Sequence, residues 1–110
     1  MTTVERARIL VVDDDEGLLK TLAWILNDKG HEVIPVTEST DLLPRMVEVR
    51  PDLLMLDIMM PKVDGLQLLE KIKADERWRD LPVLMISSMS PEDGTVKALG
   101  MGASDFISKP

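Results

Sequence analysis

The chain has 110 residues, 45% of them apolar and 30% charged, with a formal net charge of −7. That length holds one domain around a single core, and the acidic balance argues against a module that by itself grips nucleic acid with clustered Lys and Arg, while suiting a metal cation or a basic partner. With no Cys there is no disulfide or thiolate chemistry; no apolar run approaches the roughly 20 residues of a membrane span, and the polar stretch Met1 to Arg8 does not read as a secretory signal. A soluble cytoplasmic protein is the expectation.

Ile9-Leu10-Val11-Val12 is a continuous apolar run, the pattern of a strand buried on both faces. Leu18, Leu22, Ile25 and Leu26 then share one face of a helix that Gly30 ends. Glu32 to Val36 reads as a second strand; Pro35 cannot donate to a ladder, which places this strand at the sheet edge. Asp41 to Val49 predicts a second helix, capped by Ser39 or Thr40, with Pro44 near its first turn. Leu53-Leu54-Met55-Leu56 is a third strand, and Leu66, Leu69 and Ile72 form the stripe of a third helix. Val83-Leu84-Met85-Ile86 is a fourth strand. The fourth helix, near Pro91 to Leu99, is the poorest, since Gly94 inside it costs about 1 kcal/mol relative to Ala. Gly100-Met101-Gly102 is a turn signal before a short fifth strand at Phe106-Ile107. Strands alternating with helices make an α/β fold with a parallel sheet.

In open α/β sheets, sites form at the C-terminal ends of the strands, beside the point where strand order reverses. Here those ends deliver Asp13-Asp14-Asp15, then Asp57, then Ser87-Ser88, then Lys109. Each has an ordinary explanation taken alone. Acids favour the first turn of a helix, Asp and Ser cap turns, and a lysine near a terminus is usually solvated. Their coincidence on one rim is not ordinary. Clustered carboxylates repel one another unless a cation intervenes. Carboxylate oxygens with open water positions suit Mg²⁺. A carboxylate can act as a nucleophile that forms an aspartyl phosphate, with lysine and hydroxyl groups neutralising the phosphoryl oxygens. The rim reads as a phosphoryl-transfer site.

From about Ala7 to Pro110 the chain resembles the response-regulator receiver family of two-component signal transduction. The resemblance rests on Ile9-Leu10-Val11-Val12-Asp13-Asp14, on Asp57-Ile58-Met59-Met60-Pro61 with Asp64-Gly65, on Ser87, and on Lys109-Pro110. It implies a doubly wound, flavodoxin-like sheet of five parallel strands in the order 2-1-3-4-5, which agrees with the edge position of the Pro35 strand. It implies Asp57 as phosphoacceptor, with Asp13, Asp14, Asp57 and the main-chain carbonyl of Met59 holding Mg²⁺. Ser87 would be the switch hydroxyl, Phe106 the aromatic that moves with it, and Lys109 the phosphoryl-binding ammonium, in a Lys-Pro peptide that is usually cis in the family. The implied partners are a sensor histidine kinase and an output domain or effector outside this chain, in a phosphorelay that regulates transcription; neither direct nucleic-acid binding by this domain nor a membrane is implied. Such a module is a switch with self-catalysed phosphorylation and dephosphorylation, not an enzyme.

The chain departs from the family by ending at Pro110, where a fifth helix normally follows. Residues 1–110 are therefore expected to be a receiver domain cut before its last helix. Right-handed crossovers put the first helix on one sheet face and the next three on the other. The absent helix would leave alternate side chains of Leu53 to Leu56, Val83 to Ile86 and Phe106-Ile107 uncovered, so that the chain continues or a homodimer buries this face. Phe106 also lacks the hydroxyl of Tyr. Two rival readings exist. A haloacid-dehalogenase-type phosphatase would use the Asp13/Asp15 spacing, but Gly17 stands where that family prefers Thr or Val, no acidic pair follows Lys109, and Asp57 goes unexplained. A pseudo-receiver that takes no phosphate would have lost an acid or the lysine, and none is lost. Among other residues, His31 reads as a surface turn, most of the eight Met as packing, Trp78 as a cover for the loop after the third helix, and Trp24 as a candidate contact surface. Met59 and Met89, two residues beyond Asp57 and Ser87, cannot orient a water by a strong hydrogen bond; a long-lived phosphoryl state is expected.

Overall fold

The computed structural model describes residues 6–60, 64–87, 99–100 and 102–108. Five parallel strands, β1 (Arg8–Val12), β2 (Glu32–Val36), β3 (Leu53–Asp57), β4 (Val83–Ser87) and β5 (Asp105–Ser108), form one sheet in the order β2-β1-β3-β4-β5. The helices α1 (Glu16–Asp28), α2 (Leu42–Val49) and α3 (Gly65–Ala74) connect them. The predicted fourth helix lies outside the described residues except at its end, where Leu99 and Gly100 are helical. Gly102 then turns the chain into β5 with a φ of 102°, a conformation that glycine adopts without steric cost. No helix among the described residues is long and apolar enough to cross a membrane.

The apolar runs form strands because both sheet faces are covered. Leu10, Val12, Leu54, Leu56, Val83 and Met85 point to the side of α2 and α3, where they pack with Leu42, Met46, Leu66, Leu69 and Ile72. Their chain neighbours Ile9, Val11, Met55 and Ile86 pack with Leu19 of α1 on the other side. Pro35 sits on the edge strand, opposite Val11 in register, with its own outer side exposed. Its missing N–H therefore costs no ladder bond.

Helix ends differ in part from their sequence reading. Gly30 ends α1 as expected, with a φ of 91° and its N–H donating to the Asn27 carbonyl at 3.0 Å. Ser39 and Thr40 do not cap α2. They lie in a 3-10 turn, Ser39–Asp41, that winds directly into the helix, and Asp41 occupies the cap position without a side-chain bond. Pro44 falls in the first turn of α2, where an N–H has no intrahelical acceptor. The far end of α2 is closed from a distance: the Arg8 guanidinium donates to the Val49 carbonyl at 2.7 Å and meets Glu32 at 3.3 Å. A cation there opposes the negative end of the helix dipole.

The side of the sheet shared with α1 is less open than expected. Met55 and Ile86 are buried among Ile9, Val11 and Leu19, and Leu53 and Leu84 are half-buried against the same cluster. Only toward β5 does the cover thin, where Ile107 is 47% exposed. Neighbouring strand side chains and α1 close the centre of that face; they do not reach the edge.

Candidate functional site

The strand order reverses between β1 and β3, so their crossovers diverge and leave a crevice at the C-terminal rim. Three adjacent strands end in polar residues there. β1 runs out at Val12 into Asp13 and Asp14, β3 ends on Asp57, and β4 ends on Ser87. Asp13, Asp57 and Ser87 are 0%, 1% and 0% exposed, and they are the buried polar residues among those described. Among the described residues the buried polar groups thus gather at this one rim. Asp14 is exposed at the mouth.

One carboxylate oxygen from each of Asp13, Asp14 and Asp57 lies within 4.8 Å of the other two. Local turns aim these groups. The Asp15 N–H donates to Asp13 Oδ1 at 2.9 Å, and the Met59 N–H donates to Asp57 Oδ1 at 3.2 Å. The Asp13 N–H is itself held by the Val36 carbonyl of the edge strand at 3.1 Å. Asp15 turns away, its carboxylate accepting from the Leu18 N–H at 3.1 Å as the cap of α1. The Asp13/Asp15 pair that a dehalogenase-type phosphatase would need is thereby divided between two tasks. An all-oxygen set from three carboxylates, two of them buried, fits a hard cation such as Mg²⁺, which takes few carboxylates and keeps several waters.

Of the other expected site residues, Phe106 is half-buried on β5, in register with Met85 and against the α2/α3 core. Met59 is 59% exposed, two residues beyond the acceptor position. Lys109, its peptide with Pro110, and Met89 lie outside the described residues. His31 is not part of the site. It precedes β2 at the opposite end of the sheet, where its Nδ1 accepts from the Ala7 N–H at 3.1 Å. Trp78 packs on the core with the Arg77 guanidinium 5.9 Å from its ring centroid, and Trp24 is 74% exposed on α1. Met46, Met55 and Met85 are core, as read.

One structural feature escaped the sequence reading. Gly65 opens α3 hard against the end of β3, its N–H donating to the Ile58 carbonyl at 2.7 Å. The Asp64 carboxylate caps the helix by accepting from the Leu66 N–H at 2.8 Å. An Asp-Gly pair ahead of an apolar stripe is a start signal for a helix, but sequence alone does not say what the glycine faces.

A model of the response regulator receiver domain family matches residues 9–110. The DNA-binding dual master transcriptional regulator RpaA of Synechocystis sp. is 34% identical over 103 residues, covering 94% of this chain and 43% of the relative. The alkaline phosphatase synthesis transcriptional regulatory protein PhoP of Bacillus subtilis is 33% identical over 103 residues, covering 94% and 42%. The chain thus spans less than half the length of these curated relatives. Among solved structures, the N-terminal domain of a response regulator receiver protein from Methanoculleus marisnigri superposes with a TM-score of 0.85 at 35% identity, covering 96% of this chain and 86% of that one.

Proposed function

The chain belongs to the response-regulator receiver domain family, a family of signalling switches, and on that premise we propose that it is switched by phosphorylation of Asp57. The observation that carries this reading is the rim itself: a buried aspartate ending the central strand, with two more carboxylates gathered within 4.8 Å of it. An oxygen of the Asp57 carboxylate attacks phosphorus in a phosphohistidine of a sensor kinase. The new P–O bond forms as the P–N bond breaks, the electron pair leaves with the imidazole, and Asp57 becomes an acyl phosphate. Water later reverses the state by hydrolysis, returning the carboxylate and inorganic phosphate.

Asp13 and Asp14, with Asp57 and the main-chain carbonyl of Met59, would hold Mg²⁺. When bound, that ion supplies charge neutralisation for the transferring phosphoryl group. The burial of Asp57 keeps competing water from the nucleophile, and the Met59 N–H holds its Oδ1. Lys109 supplies a second cation for the phosphoryl oxygens. Ser87, at the neighbouring strand end, turns its hydroxyl to the phosphoryl group, and the space vacated draws Phe106 inward. That pair of moves carries the signal from the rim to the β4–β5 side. Because the named relatives are transcriptional regulators more than twice as long as this chain, we assign the output to a domain beyond Pro110, joined through a fifth helix, in a cytoplasmic phosphorelay that controls transcription.

Labelling with acetyl phosphate and Mg²⁺ tests the reading. The native chain takes up phosphate, and Asp57→Asn loses all uptake while its unfolding transition persists. Undiminished labelling of Asp57→Asn would remove the assignment. A pseudo-receiver would show no labelling of the native chain either.

A further inference from the structure

Gly65 stands where a side chain has no room. A β-carbon built there would lie 2.6 Å from Ile58 Cα and 2.9 Å from the Asp57 carbonyl carbon, and nearer still to the Asp57 carbonyl oxygen. These are main-chain atoms of Asp57 and its neighbour, so no flexible side-chain tip can swing away to make space. The backbone conformation is not what demands glycine here, because Gly65 is not among the described glycines with positive φ, which are Gly30 and Gly102. The close approach demands it.

Attractive contacts hold the same approach in place. The Gly65 N–H donates to the Ile58 carbonyl at 2.7 Å, and Met59 and Asp64 form an isolated antiparallel bridge. The first turn of α3 is therefore clamped onto the peptide that carries the Asp57 side chain. Met59, whose N–H holds Asp57 Oδ1 at 3.2 Å, belongs to the same clamp. Any displacement of α3 at this point moves the carboxylate and the groups beside it together.

We propose that Gly65 is a positioning residue for phosphorylation, letting α3 set the placement of the Asp57 carboxylate and the Met59 main chain. The proposal rests on Asp57 being the acceptor. Local helix propensity points the other way, since Ala is a better helix former than Gly; if helix stability alone mattered, Gly65→Ala would be an improvement. Reaction geometry is far less tolerant, because a misplacement of about 1 Å costs on the order of a hundredfold in rate. A shift of a fraction of that distance predicts a loss of about fivefold or more in the rate constant for each folded molecule.

The test uses the whole chain. Labelling by acetyl phosphate is followed at varied Mg²⁺ and varied phosphodonor for the native chain, Gly65→Ala and Ile72→Val, with rates divided by the folded fraction from denaturant titration. Ile72→Val loosens the same helix through its buried face without touching Asp57. Should Gly65→Ala be largely unfolded, sucrose, which is excluded from protein surfaces, restores the folded population. The expected result is a maximal rate lowered about fivefold or more in Gly65→Ala and unchanged in Ile72→Val. In Mg²⁺-free protein, Gly65→Ala also shifts the amide resonances of Ile58 and Met59, and Ile72→Val does not. A smaller loss per folded molecule, or unmoved Ile58 and Met59 resonances, overturns the positioning role alone. A native chain that takes no label, or an Asp57→Asn chain that does, overturns the acceptor assignment and this proposal with it.

Discussion

The two ends of the sheet carry the same kinds of residue under different conditions. At the N-terminal end several acids meet a near partner at the exposed surface. Asp52 accepts the Arg8 N–H at 2.8 Å, Glu32 meets the Arg8 guanidinium at 3.3 Å, and Asp75 meets Arg77 at 2.7 Å. The Arg77 side chain holds the Asp75 carboxyl below its ordinary range, and the carboxylate in turn holds the guanidinium proton more firmly. At the C-terminal end two carboxylates are buried and a third joins them within 4.8 Å. Exposed pairs contribute little to stability, whereas gathering like charges works against it. One end spreads its acids into exposed pairs with basic partners, and the other gathers them, mostly buried, into a site that a cation and a phosphoryl group would complete.

That contrast can be broken by substitution at either end. The largest effect is expected at the rim: Asp14→Ala should raise the Mg²⁺ concentration needed for labelling by about tenfold or more, while Asp57 remains the acceptor. Mg²⁺ dependence of the labelling rate measures this, and an unchanged dependence would remove Asp14 from the metal set. Next comes the lifetime of the phosphorylated state. Met59→Asn combined with Met89→Glu introduces groups that can orient water, and should speed dephosphorylation by about tenfold or more. A rate unchanged or slower would show that these positions do not govern hydrolysis.

Much of this was legible in the sequence, because the strands are buried on both faces and announce themselves as apolar runs. Asp13, Asp57 and Ser87 could be placed at one edge because each directly follows such a run. What stayed hidden depends on atoms distant in the chain. Ser39 and Thr40 look like caps, yet the 3-10 turn through Asp41 absorbs them. Nothing near Val49 predicts that Arg8 closes its helix from the first strand. Alternate side chains of Leu53 to Leu56 and Val83 to Ile86 were expected to be uncovered, yet Met55 and Ile86 are buried because neighbours on adjacent strands and α1 close around them. Gly65 reads as a helix start until the distance to the Asp57 peptide is seen.

Smaller effects belong to the other end of the sheet. Arg8→Ala removes the bond to the Val49 carbonyl and the contact with Glu32, and should lower unfolding stability by roughly 1 kcal/mol. Denaturant titration measures it, and the labelling rate per folded molecule should not change. A loss of labelling in Arg8→Ala would mean that the two ends are coupled. The edge of the sheet near Ile107 gives a related test. If a fifth helix following Pro110 covers it, the 110-residue chain binds a hydrophobic dye or self-associates, and a chain extended by that helix does not. A monodisperse monomer of the shorter chain that melts cooperatively and binds no dye would contradict that cover.

The chemical identity of the acceptor can be read by one measurement without a mutation. Borohydride reduces an aspartyl phosphate to homoserine, so the chain is labelled with acetyl phosphate and Mg²⁺, reduced, digested and mapped by mass spectrometry. Homoserine is expected at position 57 and nowhere else, and none when Mg²⁺ is withheld. Homoserine at position 13 or 14, or a labelled chain that yields none at 57, would contradict it.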